Sequence, residues 1–254
     1  QVQVGEYQLS ARMTPLEMLD AMVTGKVLLY RVTIPEGFTL AQIAHAVETA
    51  GLSTVGQVLA AARRTSLLQR LGIETESAEG YLFPDTYLFA RNASAIEIVD
   101  AMVARFEAIY GPNFEVRADE LGLTRHEVVT LASIVEKESG NVSEQPRIAS
   151  VFHNRLEHHM RLESDPTVIY GLGDAFNGNL TRKHLRSPNA YNTYTTAGLP
   201  PGPIASPGKT ALKAVLFPEE SSFLFFVSKN DGSHYFSKTL AEHNRAVRRY
   251  QLSD

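Results

Sequence analysis

The sequence predicts an α+β fold, and three observations predict it. Short strand-like and helix-like segments alternate over the first 70 or so residues, and helical periodicity dominates from about 94 to 158. Two strand-like runs, at about 222–228 and 233–237, then sit close together ahead of a capped helix. Helices clustered before a late hairpin do not follow the regular β-α alternation of a doubly wound sheet. A change of character near residue 75 divides the chain into a small βα part, 1–74, and a larger mixed part, 75–254.

At the start, QVQV and then GEYQLS, 5–10, alternate like a strand. In TPLEMLDAMVTG, 14–25, Thr14 is the N-cap, Pro15 takes the first helical position and Gly25 stops the helix. VLLYRVTI, 27–34, is a β run, and Pro35-Glu36-Gly37 turns the chain so that Thr39 can cap the helix LAQIAHAVETAG. A third helix, at about 53–63, follows Ser53. EGYLFPDTYLF, 79–89, is aromatic and apolar around a Pro84-Asp85 turn. Helices are predicted at about 94–110, 125–139 and 147–158, with a Gly- and Pro-rich stretch at 171–208 and a short helix at 208–216. Thr239 and Glu242 form a capping box for the last helix.

Composition excludes several function classes. With 254 residues, 44% apolar and 20% charged, the chain has the make-up of an ordinary globular protein. A net charge of −4 is too mild to select nucleic acid or an acidic polymer. There is no cysteine, so thiol catalysis, disulfides and cysteine-bound zinc are excluded. No apolar run approaches the roughly 20 residues that span a bilayer. The first residue is Gln1 rather than Met, which reads as a fragment lacking a preceding segment such as a signal or anchor.

The chemistry centres on LASIVEKESG, 131–140. Val128, Leu131, Ala132 and Val135 share one helical stripe, and Glu136 and Glu138 fall on its opposite shoulders, about 160° apart. Both cannot face one cleft, and periodicity does not choose between them. A glutamate at the edge of an apolar face is partly desolvated, which raises its pKa. That is the requirement for a general acid holding a proton near neutral pH. The competing reading is a pair of solvated acids ending a helix, where the dipole disfavours them.

Around this helix lie further candidates. Tyr191, Asn192 and Tyr194 combine aromatic faces with an amide able to pair with an N-acetyl group; the alternative is a loop packing its own tyrosines. Leu199 to Pro203 is a stiff segment poor in donors. Asp165-Pro166-Thr167 reads as an N-cap followed by proline at the first helical position. Asn154 and Arg155 follow apolar residues on a helix, and Arg155 suits a carboxylate ligand, Glu138, or a structural ion pair. His153, His158 and His159 cluster without any recognised zinc spacing, so no metal is assigned. Lys137 sits opposite the apolar stripe, and no Gly-rich phosphate loop precedes a helix, so pyridoxal phosphate chemistry is not supported and no cofactor is assigned.

Two resemblances sharpen this picture. YRVTIPEGFTLAQIA, 30–44, resembles the start of a LysM module, a small carbohydrate-binding unit. ASIVEKES, then IASVFHNRLEHHMRLESDPTVIYGLG and YNTYTTAGLPPGPIASPG, together with EGYLFPDTY and the late HYF and EHN, resemble the endolytic murein transglycosylase or YceG-like family. The resemblance spans about residues 5 to 250. It implies a LysM-like subdomain, 1–74, packed beside a YceG-like catalytic domain, 75–254, with a glycan-binding cleft. Its catalytic acid is the glutamate before a Ser or Thr at the helix end, here Glu138 before Ser139. Substrate-binding positions implied by the matching motifs are Ser139, Asp85, Asn154, Arg155, Asp165, Thr167, Tyr170, Tyr191, Asn192, Tyr194 and His234. Family members cut peptidoglycan within glycan strands, between MurNAc and GlcNAc, and leave a 1,6-anhydro-MurNAc end, so one carboxyl suffices and Glu136 is free for a structural role. The resemblance also implies an N-terminal membrane anchor, work on the extracytoplasmic face of the membrane, and partnership with peptidoglycan synthases. Competing readings are a non-catalytic wall-binding scaffold and a two-carboxylate muramidase, with Glu136, Asp85 or Asp165 as second acid.

Overall fold

The structure, a computed structural model, describes Val2 and residues 4–252. Helix α1 (Pro15–Val23) has the expected N-cap, Thr14, here completed as a capping box by Glu17, and the chain leaves it through Gly25 in the left-handed region. GEYQLS forms no strand. It runs beside the approach to the first strand and is tied there by Leu28 N donating to Glu6 O at 2.7 Å. Gln1 and Gln3 of the QVQV run lie outside the described residues.

Strand β1 (Leu29–Thr33) is followed by α2 (Leu40–Thr49), α3 (Val55–Ala62) and α4 (Thr65–Leu71). Thr39 caps α2 as expected; the cap of α3 is Thr54, one residue after Ser53. The partner of β1 is β2 (Thr86–Ala90), antiparallel, with Val32 opposite Tyr87. The aromatic run EGYLFPDTYLF therefore ends in a strand, and the sheet of the N-terminal unit takes its second strand from beyond residue 74. Ile43, Ala44, Val47, Val58 and Ala62 are fully buried beneath it, in a core continuous with that of the rest of the chain.

Helix α5 (Ala95–Glu120) is two helical stretches joined at Gly111, whose φ of 49° and ψ of 169° only glycine adopts at low cost, with Pro112 opening the second stretch. Helix α6 (Arg125–Glu138) is central. It packs against α5, the following α7 (Gln145–Glu157), α8 (Asp165–Leu172) and α10 (Lys209–Leu216). Every residue from Val128 to Val135 is buried. The stripe expected from the sequence is thus only one side of a helix enclosed all round. A short α9 (Arg182–Arg186) lies in the Gly- and Pro-rich region. The hairpin of β3 (Phe225–Ser228) and β4 (His234–Ser237) then packs against α11 (Leu240–Gln251), which has the expected Thr239–Glu242 capping box.

The N-terminal unit is fastened to the remainder by polar bonds as well as by the shared core. Gly37 N donates to Ser206 O at 2.9 Å and Ser206 N returns a bond to Phe38 O at 2.8 Å. Leu40 N, in the first turn of α2, donates to the Glu79 carboxylate at 2.8 Å. Glu79 is only 7% exposed, and burial pushes its pKa up to about 7 against the bonds it receives from Leu40, Tyr170 and Gly80.

Candidate active site

The last turn of α6 sends its three charged side chains to three places. Glu136 accepts a bond from Gly208 N at 3.0 Å, and burial raises its pKa. Lys137 is exposed, with its ammonium donating to Gly37 O at 3.3 Å across the junction with the N-terminal unit. Glu138 faces a separate cleft. Ser139 caps the helix end in extended backbone and its hydroxyl donates to Asn141 O at 2.8 Å, which turns the chain away.

The Glu138 cleft has a volume of about 480 Å³, and Arg155, Asp165, Tyr194, Phe226 and His234 are among its lining residues. Glu138 keeps part of its surface open to this cleft while its carboxyl lies deep among protein atoms. Burial is the largest influence and pushes its pKa up to about 7; the Ser164 hydroxyl pulls it down, Asp165 raises it and Arg155 lowers it. The Ser164 hydroxyl donates to Glu138 Oε1 at 2.6 Å, a short charge-assisted geometry when the acid is ionised. Opposite, the Tyr194 hydroxyl donates to Asp165 Oδ1 at 2.7 Å. His234 is paired through Nδ1 with Glu144 at 2.8 Å, and its ring stands edge-on to Phe226. Arg155, 7% exposed, donates to the carbonyls of Leu224, Arg161 and Leu162 and pairs with Glu163 at 3.2 Å. Its main task is to hold the β3 approach and the 161–163 segment around the cleft, and its charge is felt at Glu138 from there.

The other expected site residues are placed differently. Asn192 is 1% exposed, and its amide donates to the carbonyls of His184, Leu185 and Ser187 while its oxygen accepts from Tyr194 N. With its amide hydrogens and its oxygen engaged within the loop, Asn192 organises the 184–194 segment. Asn154 straps Ser221 O and Phe223 O, at 3.0 and 2.9 Å. Thr167 is wholly buried and bonds Ser164 O and Thr193 Oγ1. Asp85 pairs with Arg105 at 2.8 Å and lines neither the Glu138 cleft nor the larger one described next. Tyr170 and Tyr191 line a second cleft of about 860 Å³, between the N-terminal unit and the start of α6. That cavity is larger, but the acid suited to chemistry at an open face is Glu138; Glu79, the raised carboxyl in the larger one, is committed to Leu40 and Tyr170.

Sequence reasoning missed Ser164 and Glu79. Asp165 reads as a cap, but the N-cap is Ser164, and its hydroxyl makes no capping bond because it is turned onto Glu138. A serine ahead of Asp-Pro is the only local signal of that role. Among the described residues no group of three His, Asp or Glu side chains is placed to hold a metal ion, and His153 is engaged with Val215 O at 2.8 Å.

The YceG-like family model matches residues 1–249. A Bacillus subtilis (strain 168) protein named endolytic murein transglycosylase is 32% identical over 98% of this chain and 73% of its own length. A Streptococcus pneumoniae protein of the same name is 30% identical over 97% of this chain and 50% of its own. The crystal structure of a yceG-like protein from Listeria monocytogenes aligns with a TM-score of 0.78 at 34% identity, over 94% of this chain and 83% of that one. Matched from end to end in sequence and over nearly all of its length in structure, this chain belongs to the YceG-like family.

Proposed function

We propose that the chain is a peptidoglycan lyase, an endolytic murein transglycosylase with Glu138 as its acid and base. The observation that carries the reading is the carboxyl of Glu138, held near pKa 7 by burial at the edge of an open cleft. Such a group keeps its proton at neutral pH and releases it to a leaving oxygen. In the proposed reaction Glu138 protonates the glycosidic oxygen between MurNAc and GlcNAc, and the C1–O bond breaks. The resulting carboxylate takes the proton from the C6 hydroxyl of the same MurNAc, whose oxygen bonds to C1 and closes the 1,6-anhydro ring. Glu138 ends the cycle protonated, and no water is consumed. Ser164 stabilises the carboxylate between the two proton transfers.

The family membership and the names of the relatives support peptidoglycan as substrate. From the same resemblance we take the place of action to be the extracytoplasmic face of the membrane, with an anchor preceding this chain and peptidoglycan synthases as partners. No helix among the described residues is long and apolar enough to cross a membrane. The N-terminal unit is taken as LysM-like, a strand, helices and a returning strand in sequence.

A hydrolytic reading stays in play because Asp165 lines the same cleft. Purified glycan strands digested with wild type, Glu138→Gln and Asp165→Asn, and read by mass spectrometry, separate the two. Anhydro-MurNAc ends lost in Glu138→Gln are expected. Reducing ends, lost in both variants, would replace the lyase by a two-carboxylate muramidase.

A further inference from the structure

A basic pocket of about 450 Å³ opens beside the Glu138 cleft, and Tyr194 is a wall common to both. The Tyr194 hydroxyl serves the cleft, donating to Asp165, while its carbonyl accepts from the Arg161 guanidinium at 3.1 Å. Arg161, Arg182 and Arg186 line the pocket with Leu185, and no acidic residue does. Among the described residues none of the three arginines is in an ion pair, and the Arg182 and Arg186 guanidiniums make no hydrogen bond. Elsewhere Arg64, Arg105, Arg125 and Arg147 are each matched with a carboxylate. Three unmatched guanidiniums at one cavity, in a chain of net charge −4, depart from that pattern.

The arrangement is held in place against a local cost. Arg182 and Arg186 stand four apart on α9, so they share a face, and like charges at that spacing repel. Helix α9 is nonetheless fixed at both ends. Thr181 and His184 form a capping box at its start, and Asn192 donates to the carbonyls of His184, Leu185 and Ser187 at its end. The Asn192 oxygen accepts from Tyr194 N, so one buried amide sets the arginine pair against the shared wall. Arg161 is positioned through its own carbonyl, which accepts from Arg155. A bound anion would relieve the repulsion, and each guanidinium offers a planar fork matched to a carboxylate. The neighbouring cleft has the opposite balance: Glu138, Glu163 and Asp165 line it against one arginine, Arg155, which is already paired with Glu163. An anionic substituent is therefore turned away from the cleft and toward the three arginines.

We propose that this pocket is an anion subsite, which takes a carboxylate on the peptide branch of a strand seated at Glu138. The proposal rests on the lyase reading for the identity of the strand, though not for the pocket's affinity for a carboxylate. It makes the protein discriminate between strands by the charge of their branches rather than by their sugars. Each exposed contact is weak, and the three together set the preference.

The test uses the full chain in the Glu138→Gln background, so that no cleavage intervenes, and calorimetry at low salt. Two probes are compared: a GlcNAc-MurNAc tetrasaccharide whose peptide branches end in free carboxylates, and the same compound with every carboxyl converted to a carboxamide. The acid form is expected to bind roughly fivefold more tightly. That preference should nearly vanish at about 1 M salt, where charges are screened within a few ångströms. Arg182→Gln combined with Arg186→Gln should abolish the preference and leave binding of the carboxamide form unchanged. Lys183→Gln removes a charge from the same helix but not from the pocket, and should keep the preference. Equal affinity for the two probes, or a preference that Lys183→Gln removes as fully as the arginine pair, would overturn the subsite even if wild type cuts glycan normally. Sedimentation with phosphatidylglycerol vesicles that depends on the arginine pair, alongside equal affinity for the two probes, would replace the branch by a lipid surface. A carboxylate preference carried by the arginine pair in a chain that makes no anhydro ends would keep the subsite and remove the lyase reading.

Discussion

Replacing Glu138 by Gln should make the protein more stable at alkaline pH than the wild type while abolishing cleavage. In the folded chain the carboxyl titrates near 7 instead of 4.5, chiefly because burial penalises its ionised form. The folded state therefore holds this proton more tightly than the unfolded state does. Below pH 4.5 both states are protonated and the group costs nothing. As pH rises through 4.5 to 7 the unfolded chain ionises first, and above 7 the full penalty is present. At 1.36 kcal/mol per pKa unit the penalty is at most about 3 kcal/mol. Glutamine keeps an acceptor for Ser164 and never ionises. Urea unfolding of both proteins at pH 5 and pH 8 measures the difference. The variant should gain up to about 3 kcal/mol at pH 8 and close to nothing at pH 5. The variant should still lose some stability over the same range, because burial raises Glu79 to about 7 in both proteins. Carboxylates whose pKa is lowered, such as Asp85, act only at more acidic pH and leave this window clear. An advantage equal at both pH values, or a variant less stable at pH 8, would refute the claim that an ionised Glu138 is a buried liability.

Ser164→Ala removes the donor that lowers the Glu138 pKa, so the alkaline limb of kcat/KM against pH should move upward while the maximal rate falls about tenfold; a limb that stays in place would take Ser164 out of contact with the acid. Asn192→Ala should lower stability by about 1–3 kcal/mol, since three carbonyls lose their donor in a buried setting. A thermal shift of several degrees is the readout, and an unchanged melting temperature would mean the loop is held by other bonds.

What the sequence revealed was what depends on near neighbours. The caps at Thr14 and Thr39 and the box at Thr239 are complete within four residues, and each is found where it was expected. Strand β2 was hidden because its partner lies more than 50 residues earlier, and nothing in TYLFA names β1. GEYQLS shows the converse: alternation without a partner strand makes no sheet. The choice between Glu136 and Glu138 was illegible from periodicity because α6 is buried on all sides, so no apolar stripe marks an inner face. The inward bonds of Asn192 were hidden for a related reason: an amide beside tyrosines looks the same whether its valences point inward or out. Two clefts instead of one follow from how the 189–194 loop lies on α8, a matter of packing that no local pattern carries.

The ties at the end of α6 have a further consequence for which changes the chain can tolerate. Successive residues there point about 100° apart, and each of the three is committed to a different neighbour: Glu136 to Gly208, Lys137 to Gly37, Glu138 to Ser164. Inserting or deleting a single residue after Val135 would rotate the whole set by one step. A carboxylate would then confront the Gly37 carbonyl, the lysine would enter one of the acidic positions, and the seam and the cleft would fail together. This helix end behaves as a three-toothed key: teeth can be recut one at a time by substitution, but the key cannot be turned by one notch.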